Sequence, residues 1–135
     1  MTDARCPTDP SHATSIEGVH ALPLMHAATS DRINARLLAD ALGLELYTVA
    51  DLIERPYRTV KRTPDAAASQ GALRPLAEIA RLLYGLYGDN TAAVRTWLNA
   101  PHPELEGLCP LDAMRQRRVA AVRTVLEIAV AELPV

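Results

Sequence analysis

Glu104 and Glu106 bracket Leu105 in the stretch WLNAPHPELEGLCPLD, residues 97–112, and this is the pairing in the chain nearest to a general acid and base. The same stretch carries His102 and Cys109, while Cys6, His12, His20 and His26 gather near the N-terminus. Neither group has the spacing of a zinc site, so no metal and no cofactor is expected, and two distant cysteines fit a reducing compartment. A nucleophile needs a base held beside it, and no Ser, His and Asp grouping or Gly-rich phosphate loop falls on converging elements. The two carboxylates lie in a solvated turn. The chain is expected to act by occupying a surface and not as an enzyme.

Phosphate binding is the other chemistry the residue types allow. Arg55, Arg58, Lys61 and Arg62 follow one another closely, and such cations grip a nucleic-acid backbone. With Tyr47 and Thr48 just before them they form the candidate DNA-binding set. Arg115, Arg117, Arg118 and Arg123 make a second basic group around the start of the last helix. The net charge of −2 gives no bulk attraction to nucleic acid, so local distribution decides.

The elements that must position these residues are helical. Apolar residues make up 49% of the 135, dominated by Ala and Leu with one Trp and no Phe, which favours close helix packing and an all-α, compact helical protein. Ile33, Leu37, Leu38, Ala41 and Leu42 recur at helical spacing, predicting a helix over residues 31–42, capped by Thr29 or Ser30 and stopped at Gly43. Val49, Leu52 and Ile53 predict a second helix over residues 45–54. Helix, glycine turn and helix together outline a helix-turn-helix-like region, residues 30–62. Its second helix carries Glu45, Asp51 and Glu54 and no cation, a sequence that repels phosphate. Pro56 and Pro64 interrupt the pattern, and residues 63–72 read as a linker.

Residues 73–87 predict a long helix with Leu76, Ile79, Ala80, Leu83 and Tyr87 inward and Gly88 closing it. A short helix over residues 92–98 ends at Trp97 and Leu98, where Trp97 suits the core. Pro101, Pro103 and Gly107 then make a built connector, and Pro110 suits the first turn of the next helix with Asp112 against its positive dipole end. Residues 1–29, with Pro7, Pro10, Gly18 and Pro23, read as a flexible N-terminal arm. No apolar run approaches the roughly 20 residues of a membrane span and no secretory pattern opens the chain, so a cytoplasmic location and no membrane partner are expected.

The last helix, read from about Arg115, is the strongest clue to a partner. Projected at about 100° per residue, Val119, Val122, Leu126, Ala129 and Leu133 form one stripe, with Ala121, Val125 and Ile128 beside it and Val130 on the other flank. Together they cover an arc of about 200°, where one buried face needs little more than about 100°. Either the helix is central and its whole arc is enclosed by its own bundle, or one stripe packs inside and the other meets a second protein, a twin copy or a foreign one.

The order and spacing of residues 76–89, the helix 92–98, the Pro/Gly connector through Asp112 and the final helix resemble the toxin-binding domain of Xre/MbcA/ParS-type antitoxins, partners of RES-type toxins. The resemblance implies that residues 73–135 bind a cognate RES-domain toxin that degrades NAD. It further implies that Glu132, Leu133, Pro134 and Val135 lie over that toxin's active site, with Val125, Ile128, Arg117 and Arg118 completing the toxin-binding set. A homodimer and autorepression through operator DNA follow from the same likeness. The alternative is a stand-alone helix-turn-helix transcriptional regulator.

Overall fold

The structure is a computed structural model and describes residues 32–133. The arm over residues 1–29, the caps at Thr29 and Ser30, and the terminal Pro134 and Val135 lie outside the described residues. Seven α-helices and no strand occur among the described residues: α1 (Ala35–Leu42), α2 (Leu46–Leu52), α3 (Tyr57–Arg62), α4 (Gln70–Tyr87), α5 (Thr91–Leu98), α6 (Pro110–Arg115) and α7 (Val119–Ala131).

The first helix starts later than its periodicity predicts, for a reason that lies 37 residues away in sequence. The Gln70 Oε1 accepts from the Ile33 N–H at 2.6 Å, while its Nε2 donates to the Ile33 and Ala66 carbonyls at 3.0 and 3.1 Å. Ile33 is thereby held outside the helix. Asn34 becomes the cap, its Oδ1 accepting from the Arg36 and Leu37 N–H groups.

Gly43 ends α1 with φ +67, as glycine permits, and its N–H donates to the Ala39 and Asp40 carbonyls. It also lets α5 pass: a Cβ there would press on the Arg95 side chain and lie 2.8 Å from the Thr91 Cγ2. Gly43→Ala therefore combines a left-handed backbone with a clash against a β-branched neighbour. A loss of about 2–3 kcal/mol in chemical unfolding is expected; an unchanged midpoint would mean that α5 does not depend on this approach.

Two elements depart from the sequence expectation. Pro56, read as a terminator, instead precedes α3, where its fixed φ of −59° suits a helix entrance. Residues 63–72, read as a linker, hold a 3-10 turn (Ala67–Ser69) and the first turn of α4, which begins three residues before Leu73. Pro75 inside α4 removes the backbone bond to the residue four before it, the exposed Gly71.

All seven helices contribute to one hydrophobic cluster that includes Leu38, Leu42, Val49, Leu76, Leu83, Leu98, Met114 and Leu126. The packing of α4 against α7 is its spine. The connector after α5 is built as expected: the His102 N–H donates to the Leu108 carbonyl, the Gly107 N–H donates back to the His102 carbonyl, and Leu105 is fully buried as a plug. The final helix does not run from Arg115. Arg117 takes φ +66 and divides α6 from α7.

Candidate functional site

The two stripes of α7 have different fates. Val122 and Leu126 are completely buried, Val119 and Ala129 partly so, and Val125 is half-buried at the edge. Ile128 is 55% exposed. Val125, Ile128 and Glu132 stand at helical spacing along one side, flanked by the exposed Thr124 and Ala131. Leu133, which the projection placed on the inward stripe as well as in the toxin-binding set, lies past the end of α7 and is 41% exposed. The helix thus buries Val122 and Leu126 completely, packs Val119, Ala121 and Val125 partly against the core, and leaves Ile128 at the surface.

The basic group at the start of α7 is not a free rim. Arg117 pairs with Glu54 at 3.0 Å, Arg115 reaches Asp51 at 3.8 Å and Asp112 at 3.3 Å, and Arg118 pairs with Glu106 at 3.3 Å. Arg117 and Arg118, expected to face a toxin, are engaged within the chain. Glu54 and Asp51, the acids that spoke against phosphate binding by α2, are the groups that hold two of these cations. Sequence reasoning had no signal for the pairs with Asp51 and Glu54, because these two join residues more than 60 positions apart.

The candidate DNA-binding residues divide as well. Thr48 is only 7% exposed, its side chain packed inward from α2, and it has no surface role. Arg55 donates from Nη to the Ala68 carbonyl at 2.7 Å, pinning the turn ahead of α4. Tyr47, Arg58, Lys61 and Arg62 remain exposed, and the last three have no carboxylate partner among the described residues. Tyr57, absent from the sequence-derived set, joins them: its ring meets that of Tyr47 edge to face at 6.4 Å, and the Lys61 Nζ lies 5.8 Å from its centroid. The missed signal was α3 itself, whose single buried residue, Val60, is too little to mark a periodicity.

In the connector, Glu104 and Glu106 are exposed and Glu106 is taken by Arg118, so the two do not converge on a common point. The His102 ring packs against Trp97 at 4.8 Å, with Nε2 buried and unpartnered among the described residues. Trp97 is half-buried and packs against the edge of the hydrophobic core as well as on this ring. No cluster of three or more His, Cys, Asp or Glu suited to a metal occurs among the described residues, and none of the described helices is long and apolar enough to cross a membrane.

Residues 82–128, from the second half of α4 to Ile128, match the family model described as the antitoxin Xre/MbcA/ParS C-terminal toxin-binding domain. No curated protein and no solved structure gives a significant match.

Proposed function

We propose that this chain, whose residues 82–128 match the model of the antitoxin Xre/MbcA/ParS C-terminal toxin-binding domain, neutralises a RES-type, NAD-degrading toxin by laying the outer side of α7 across that enzyme's active site. The observation that carries this reading is Ile128, a large apolar residue 55% exposed on a helix whose Val122 and Leu126 are completely buried. An exposed Ile on an otherwise well-packed helix is the kind of side chain a partner covers. Glu132 and Leu133, which follow Ile128 and are exposed, belong to the same contact, and the sequence of Pro134 and Val135 completes the proposed set. Val125 and Ile128 form its centre, while Arg117 and Arg118 support the corner from which α7 departs.

The test is co-expression with the gene encoded beside it. The neighbour alone should arrest growth and the wild-type chain should restore it. Ile128→Glu places a charge on the exposed side of α7 and should abolish rescue while the purified protein keeps its melting temperature, because Ile128 is 55% exposed. A harmless neighbour, or rescue that survives Ile128→Glu, would remove this account.

A second reading is favoured by α3. Three cations with no carboxylate partner among the described residues, beside two exposed tyrosines, suit a phosphate backbone, which is the sequence-independent part of operator binding and of autorepression by a dimer. The two readings separate cleanly. Arg58→Ala with Lys61→Ala should weaken DNA binding and flatten its logarithmic salt dependence by about 0.9 for each phosphate no longer neutralised, and should leave toxin rescue intact.

A further inference from the structure

The end of α7 is electrically unbalanced. Its last turn holds no basic residue, so the partial negative charge of the helix C-terminus is uncompensated there. Glu127 is neutralised by Arg123 at 3.1 Å, but Glu132, at the C-cap and exposed, has no cationic partner among the described residues. The Glu132 carboxylate and the helix end therefore add to one another. Ile128 stands one turn before Glu132 on the same side, with Thr124 and Ala131 leaving it prominent. This is a composite of one apolar knob and one anionic point, separated by a single helical turn.

We infer that the partner surface which receives α7 has an apolar pocket for Ile128 and, one helical turn away, a Lys or Arg that meets Glu132 and the C-terminal carbonyls of α7. The inference rests on the toxin-binding reading and adds the chemistry of the seat. A cation on the partner supplies what the last turn of α7 lacks, and it fixes the direction in which the helix lies. An uncharged apolar groove would instead leave Glu132 desolvated and unpaired, which costs affinity. Ile128 supplies residence time through burial, and Glu132 supplies steering and register.

The experiment is calorimetry and surface binding of the full chain against the purified product of the adjacent gene, at low and at high salt. Both side chains are exposed, so Ile128→Ala, Glu132→Gln and Glu132→Lys should melt with the wild type. Glu132→Lys is expected to weaken binding by about tenfold or more and to reduce its salt dependence, with Glu132→Gln between. Ile128→Ala is expected to weaken binding by about ten- to a hundredfold through faster dissociation. Wild-type binding with unchanged affinity and salt dependence in Glu132→Lys would overturn the inference and leave the toxin reading standing. Absence of any wild-type binding would remove both. If sedimentation shows the chain to be a dimer that Ile128→Asp converts to monomer, the face belongs to a second copy and the inference is likewise overturned.

Discussion

A chain that begins at Thr63, and so lacks α1, α2 and α3, is expected not to fold, even though the residues matching the toxin-binding family all remain. The lost segment contributes Ile33, Ala35, Leu38, Ala39, Leu42, Val49, Ala50, Leu52, Ile53 and Val60 to the single hydrophobic cluster. Without them the apolar side chains of α4, α5 and α6 that they cover return to water, each large one forfeiting up to about 1.5–3 kcal/mol against the roughly 5–15 kcal/mol by which a domain is stable. It also strands Gln70, whose amide is satisfied by Ile33, and bares the side of α5 that Gly43 allows to approach. Far-UV circular dichroism with a thermal scan checks this. A cooperative transition in the shortened chain would show that α4 to α7 hold together unaided.

Leu126→Ala should produce the largest single-residue loss of stability on α7, about 2–5 kcal/mol. Leu126 is completely buried beside Val122, where α7 meets α4, and a cavity there has no exposed edge into which the surroundings can collapse. Two positions along the same helix, Ile128→Ser should change stability by no more than about 0.5 kcal/mol, because its side chain is mostly in water. Chemical unfolding of the two proteins side by side is the measurement. Equal losses would mean that Ile128 is covered within the monomer, and the outer stripe of α7 would then not exist.

The helical periodicities that sequence exposes were those set by local burial. Leu38 and Leu42, the α4 series from Leu76 to Leu83, and Val122 with Leu126 all repeat at the spacing of a helix with one wet side, and each took the place that spacing implies. The connector was legible because prolines and a glycine restrict the backbone whatever surrounds them. What escaped depended on distant partners. The start of α1 is decided by the Gln70 amide, which no window around Ile33 contains. The ion pairs of Arg115 and Arg117 with Asp51 and Glu54 likewise depend on tertiary placement, so cations that look free in sequence are engaged in the fold. Short α3, with Val60 as its single buried residue, gave no period to read, and its entrance proline resembled a stop. On the candidate surfaces, the arc of apolar residues left two outcomes open for α7, and the exposure of Ile128 is decided by the fold, just as the pairing of Tyr47 with Tyr57 required knowing that α2 and α3 abut.

Glu54 and Arg117 face each other at the joint between α2 and the α6–α7 corner, and both hold left-handed backbone, with φ of 58° and 66°. That conformation costs an ordinary residue about 1–2 kcal/mol, while a solvent-exposed ion pair returns at most about 1 kcal/mol. Attraction between the two charges is therefore too small to account for the bend. The greasy contacts of Leu52, Ile53, Leu111 and Met114 near the corner must impose it, and the bridge forms because the backbone has already been forced into position. The orientation in which α7 offers its outer side is consequently set by packing in the first half of the molecule, and natural drift in the two charged residues should leave that orientation unaltered.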